Sequence, residues 1–289
     1  MTDHFTPTTI AQAVGLLSQY GKKARIVAGG TDLVVQMKRN RVVPEHIIDI
    51  KGIRELNFIS AMESDGLRIG ASTTISDLCN SSVIGHEFKV LAQALGMLGT
   101  PTIRRQATIG GNICNAAPSA DVAPPLMVLD AKVKISGNNE ERMVPIDEFF
   151  VGPGQTCLQA DELAVELDLP PLPSHSGAVY LKQKRSQGAD IAIAGAAVLV
   201  SLEKNTLREV RIALGAVAPT PIRAYRTEEY LKGKTFDNKL LEEGAKMAVN
   251  EIKPIDDVRS SAVYRSRVVQ VLVRRALQEA IEQAKQEDK

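Results

Sequence analysis

Apolar residues at Ile10, Val14 and Leu17 recur at helical spacing and stop at Gly21, which predicts an amphipathic helix. Thr6 or Thr8 is its expected N-cap, with Pro7 near the first turn. The run Arg25, Ile26, Val27, Ala28 then reads as a short strand. Gly29 and Gly30 form a turn, and Thr31 and Asp32 are expected to cap a helix carrying Leu33, Val34 and Met37. A further strand is expected over 46–50. This order of helix, strand, glycine turn, helix and strand predicts a small α/β unit with parallel strands over residues 1–55.

From 56 onward the pattern changes. Strands are expected at 57–60 and 67–70, with helices beginning at Ile75 and spanning 87–98. The stretch 100–118 is rich in Gly, Pro, Asn and Thr and reads as a loop, followed by a helix over 120–129 and a strand over 132–135. Leu163, Val165, Leu167 and Leu169 alternate with other residues, the period of a half-buried strand, and Pro170-Pro171-Leu172-Pro173 ends it. That proline cluster marks the expected domain boundary. Beyond it come long strands at 191–202 and 207–214 and helices at 240–252 and 262–285. The fold class is therefore α+β. A two-lobed domain over 1–173, with subdomains 1–55 and 56–173, precedes a small α+β domain over 174–289.

Composition narrows the function classes. The 289 residues are 44% hydrophobic and 24% charged, within the globular range. Lys+Arg 35 against Asp+Glu 34 leaves a net charge of +1, and aromatics amount to 4% with no Trp, so nucleic acid is not an expected partner. The three cysteines, Cys79, Cys114 and Cys157, stand far apart with no CxxC pair for zinc or an iron–sulfur cluster, and an odd, sparse set fits a reducing compartment. No apolar run approaches the ~18 residues that span a bilayer, and the first residues lack a leader pattern, so the chain is read as cytoplasmic with no transmembrane segment.

Two short segments carry candidate chemistry. A glycine pair between strand and helix lets backbone N–H groups converge without a Cβ in the way, and the helix N-terminus adds positive potential. Ala28-Gly29-Gly30-Thr31-Asp32-Leu33 has this layout, although read alone such a turn is more often simply tight. Thr108-Ile109-Gly110-Gly111-Asn112 repeats the glycine pair and adds a hydroxyl and an amide able to bind phosphate oxygens or ring edges. Two such loops in one chain suggest an elongated ligand such as a dinucleotide. Neither is GxGxxG, so a Rossmann site is not indicated. Gly233-Lys234-Thr235 resembles the end of a P-loop, but Glu228 stands where the upstream glycine belongs. The four histidines are isolated, and neither HExxH nor GxSxG occurs.

The segments AGGTDL and TIGGNICNAAPSADVAPPL together resemble the FAD-binding subunit of the molybdenum hydroxylases. That family includes carbon monoxide dehydrogenase medium subunits and the flavin domain of xanthine dehydrogenase. The likeness continues through Tyr180-Leu181-Lys182-Gln183, Asp190-Ile191-Ala192 and the run LGAVAPTP from Leu214. It implies a PCMH-type FAD-binding domain in which Ala28, Gly29, Gly30, Thr31, Asp32 and Leu33, with Thr108, Ile109, Gly110, Gly111 and Asn112, surround the FAD diphosphate. It also implies Asp121 on the adenosine side, Lys182 reaching the flavin, Leu98 and Gly99 flanking the cofactor, and Ala164 where relatives carry a larger aliphatic residue. Without the resemblance, Asp121 reads as a cap for the next helix, and Lys182, beside Lys184 and Arg185, as part of a solvated face.

On this resemblance no catalytic or metal-binding residue is expected in the chain. The molybdenum cofactor and [2Fe–2S] clusters would belong to a large and a small partner subunit, in a dimer of heterotrimers. FAD would pass electrons from [2Fe–2S] to NAD+ or another acceptor. Two other readings remain open: a self-sufficient FAD-dependent oxidase or reductase of related fold, and a flavin-free assembly scaffold.

Overall fold

The computed structural model describes residues 2–62, 66–138, 140–186 and 188–286. The chain divides into two compact units whose segments interleave. Met1–Ser81, Gly99–Ala116 and Ala131–Pro170 form the first, and Ser82–Leu98, Ala117–Asp130 and Pro171–Lys289 the second. The last crossing falls within the proline cluster.

In the first unit, the helix Ile10–Tyr20 begins at Thr9, whose hydroxyl accepts the Gln12 N–H, while the Gln12 side chain accepts the Thr8 N–H at 2.9 Å. This reciprocal cap displaces Thr6 and Thr8, the caps expected from sequence, because only Thr9 has a glutamine three residues on. Gly21, at φ 51°, ends the helix. Next to it lies a parallel three-stranded sheet with His46–Asp49 between Asp3–Phe5 and Ala24–Val27. The N-terminal strand was not legible in the hydrophobic pattern.

A five-stranded sheet in the same unit runs Ile59–Ala61, Leu67–Gly70, Leu163–Leu169, Lys132–Ser136, Glu141–Pro145. Leu163–Leu169 is its central strand and is buried on both faces, not half-buried as its alternation predicts. Two facts reconcile the pattern with the burial. Ala164 is small and apolar, and buried Glu166 is gripped by Arg68, whose Nε donates at 2.6 Å. Leu163 and Val165 join a core with Val14, Leu17, Ile48 and Ile50.

The stretch 100–118 is not simply a loop. Thr100 and Thr108 start the short helices Pro101–Arg104 and Ile109–Cys114, their hydroxyls accepting the N–H groups of Ile103 and Gly111. Threonine capping outweighs the low helix propensity of the glycines.

In the second unit, Ser176–Gln183, Ala194–Glu203, Thr206–Gly215 and Ile222–Arg223 form an antiparallel sheet in that order. The long helix Ala262–Gln286 lies along the first two strands. Gly177 is what permits this approach, because a Cβ there would fall on the carbonyl of Ala280. Val269, Val273, Leu277 and Ile281 of this helix are buried in the core with Val198 and Val200. The expected strand over 191–202 begins only at Ala194, the partner of Gln183 at the end of the preceding strand, with Ile193 N–H donating to Gln183 O just outside it.

Leu277 is fully buried. Leu277→Ala is expected to cost about 2–5 kcal/mol in urea unfolding. A loss below about 1 kcal/mol would show that the helix is not packed on the sheet as described.

Candidate functional site

Both glycine segments fall in the first unit and wall one cavity of about 390 Å³. Among the residues predicted for the site, Ala28, Gly29, Gly30, Thr31, Asp32, Leu33, Thr108, Gly110, Gly111, Asn112 and Ala164 line it. Ile109 does not; its side chain is fully buried behind the loop. Gly99 belongs to the same unit but not to this lining, and Leu98, Asp121 and Lys182 belong to the second unit.

The glycines bring the two loops together. A Cβ on Gly29 would fall on the Gln106 carbonyl, so only glycine lets these backbones meet. Gly30 takes φ 69°, the left-handed conformation that turns the chain from strand into helix. On the other loop, Gly110 abuts Ala71, where an added Cβ would lie 2.6 Å from the carbonyl oxygen. These contacts shape the cavity before any ligand is considered.

The donors of the two loops differ. In the second loop every N–H from Ile109 to Asn112 already has an acceptor: Ile109 donates to Thr73 O, Gly110 to Ala71 O, Gly111 to Thr108 Oγ1 and Asn112 to Thr108 O, at 2.9–3.1 Å. In the first loop, the N–H groups of Gly29, Gly30, Thr31 and Asp32 have no acceptor among the described residues. Backbone donors for an anion therefore come from the first loop, and not from both as the sequence suggests. The second loop instead offers a side chain. Asn112 Oδ1 is buried and has no hydrogen-bond partner among the described residues. An orphaned acceptor beside free donors fits a ligand that carries both phosphate oxygens and hydroxyl or amino groups.

Asp32, accessible at the cavity, has its carboxyl pushed above the usual range by burial of the group in the loop, with the Thr31 hydroxyl opposing. A carboxylate repels phosphate, so its chemistry suits a sugar hydroxyl. Apolar walls come from Ile26, Val27, Ile50, Leu158 and Leu163. Sequence reasoning missed Leu158 and Leu163, and also Gly154, because the fold, not a motif, brings them to the cavity. Alternation had marked Leu163 as core.

Cys114, half-buried at the cavity wall, has its thiol pushed up to about 12, first by burial and then by neighbouring Cys157. It serves as a small packing residue and not as a reactive thiol.

In the second unit, Asp121 and Lys182 engage each other. Lys182 Nζ donates to Asp121 Oδ2 at 2.8 Å, and the two side chains are 1% and 10% exposed, respectively. Neither of the simpler readings from sequence holds. Asp121 does not cap Ala123–Val128, which has no side-chain cap, and Lys182 is no solvated cation. Tyr180, fully buried, donates from its hydroxyl to Asp121 Oδ1 at 3.1 Å.

Residues 1–172 match the family described as FAD binding domain in molybdopterin dehydrogenase, and residues 178–280 match the CO dehydrogenase flavoprotein C-terminal domain. The chain is 34% identical to the xanthine dehydrogenase FAD-binding subunit of Escherichia coli O157:H7, over 94% of each chain. It is 36% identical to the carbon monoxide dehydrogenase medium chain of Hydrogenophaga pseudoflava, over 96% of each. A solved carbon monoxide dehydrogenase from H. pseudoflava, lacking the Mo-pyranopterin moiety, superposes with a TM-score of 0.94 at 35% identity and covers 98% of both chains.

Two outcomes test this description. Gly30→Ala should cost about 1–2 kcal/mol, the strain of a left-handed alanine, as read by urea unfolding; no loss would mean that the turn relaxes. At pH 8, iodoacetamide should modify exposed Cys79 well before Cys114. Equal rates would contradict the buried thiol.

Proposed function

The chain belongs to the FAD-binding subunits of the molybdopterin dehydrogenase family, as its two matched domains show, and from that premise we propose that it relays electrons through FAD within a larger oxidoreductase. Its source would be [2Fe–2S] clusters on a small partner subunit, fed by a molybdenum-cofactor large subunit in a dimer of heterotrimers. NAD+ or another acceptor would receive the electrons. FAD, when bound, can exchange electrons singly or in pairs and so joins one-electron carriers to a two-electron acceptor.

One observation carries the cofactor assignment: a cavity lined by both glycine loops, in which the N–H groups of Gly29, Gly30, Thr31 and Asp32 and the buried Asn112 Oδ1 have no partner among the described residues. The N–H groups of Gly29, Gly30, Thr31 and Asp32 would hold the diphosphate. Asp32 and Asn112 Oδ1 would accept from hydroxyl or amino groups. Ala164 would give apolar contact, and Ile109 would support the loop from behind. Leu98, Gly99, Asp121 and Lys182 enter as cofactor residues through the family resemblance. The described residues contain no cluster of three His, Cys, Asp or Glu suited to a metal and no helix long and apolar enough to cross a membrane.

The full chain, purified alone or with its partner subunits, should show the visible bands of bound flavin. No bands after FAD addition in either state would overturn the proposal. Gly111→Val should weaken FAD binding about tenfold or more, or ~1.4 kcal/mol. A side chain there meets Thr108 Oγ1, where even a Cβ would lie only 2.8 Å away, and opens the cap that frames the cavity. Unchanged affinity in a folded variant would place the diphosphate elsewhere.

A further inference from the structure

The strand Ser176–Gln183 sets Tyr180 and Lys182 two residues apart, so their side chains leave the same face of the sheet. Both reach one carboxylate. Asp121 Oδ1 accepts from the tyrosine hydroxyl and Oδ2 from the ammonium. Lys182 directs a second, long bond to Met97 O at 3.5 Å. An ammonium has three donors, and these two are its only protein acceptors among the described residues. A nearly unexposed cation with a donor to spare is suited to a ligand acceptor.

Three features fix Tyr180 itself. Its backbone N–H donates to Gln93 Oε1 at 2.7 Å. Its ring is fully buried, and burial together with the Asp121 carboxylate raises the phenol pKa well above its usual value, so it stays a donor at neutral pH. Gly195 pairs with Lys182 across the sheet, and a Cβ there would lie 2.8 Å from the Tyr180 hydroxyl. The missing side chain at 195 is the space the hydroxyl occupies.

We propose that Tyr180 is a positioning residue for the cofactor: its hydroxyl pins Asp121 in the rotamer that holds the Lys182 ammonium in place. Asp121 with only one partner can turn about its side-chain bonds and carry the cation with it. Two anchored oxygens leave it one orientation. This inference rests on the reading that Lys182 serves the flavin, and the experiment separates the two.

The full chain is compared with Tyr180→Phe, Gly195→Ala and Lys182→Met, each checked for folding by thermal melt. FAD affinity is read by flavin fluorescence, and the flavin midpoint potential is read across pH. Tyr180→Phe is expected to weaken FAD about three- to tenfold, the effect of one lost hydrogen bond. It should lower the potential in the same direction as Lys182→Met and change its slope with pH, because a displaced cation stabilises the reduced flavin less. Gly195→Ala should move both readouts likewise by crowding the hydroxyl, and it decides the matter should Tyr180→Phe fail to fold. If Lys182→Met shifts both readouts while folded Tyr180→Phe and Gly195→Ala leave them at wild type, Tyr180 is merely structural and the inference falls. If Lys182→Met changes neither, the assignment of Lys182 to the flavin falls first, and the inference with it.

Discussion

The close approach of backbone to backbone at Gly29 and Gly110 is the constraint on which the site depends. Gly29 lies against the Gln106 carbonyl and Gly110 against Ala71, so segments far apart in sequence share one cavity wall. A methyl group on Gly29 would push the first loop off Gln106, and one on Gly110 would push the second off Ala71. The glycine pairs therefore do two separate things: one glycine of each pair lets main chains meet, and Gly30 supplies the left-handed turn into the next helix.

From that contact follows an asymmetry between the loops. Thr108 caps a helix, and its hydroxyl and carbonyl take the N–H groups of Gly111 and Asn112, while Ala71 and Thr73 take those of Gly110 and Ile109. The second loop has its N–H groups satisfied, two within it and two by Ala71 and Thr73, and it contributes an acceptor. Asp32 begins its helix without a side-chain cap bond, and the N–H groups of Gly29, Gly30, Thr31 and Asp32 have no acceptor among the described residues. An unfilled cap is a local cost, and here it falls where a diphosphate would offset it.

Much of this was legible in the sequence. Glycine pairs flanked by Thr, Asp and Asn mark the loops, and 3.6-residue periodicity places most helices within a few residues. What escaped depends on tertiary context. The strand Leu163–Leu169 reads as half-buried because periodicity cannot show that Arg68 lies within reach of Glu166. The helix Ile109–Cys114 hides under two glycines until the Thr108 cap is seen. Gly154 and Leu158 line the cavity without any motif. Asp121 and Lys182 stand 61 positions apart, and nothing in their local sequence says that they pair. The resemblance named both residues, and the structure adds that each is the other's counter-ion.

The family brings FAD, and the proposed reading divides the work of holding it between the free donors of the first loop and the Asn112 acceptor of the second. The most direct test is amide hydrogen exchange on the full chain with and without FAD. FAD should slow exchange at residues 29–32, whose N–H groups are free, and leave 109–112, already bonded, unchanged. Protection at 109–112 with none at 29–32 would contradict the account.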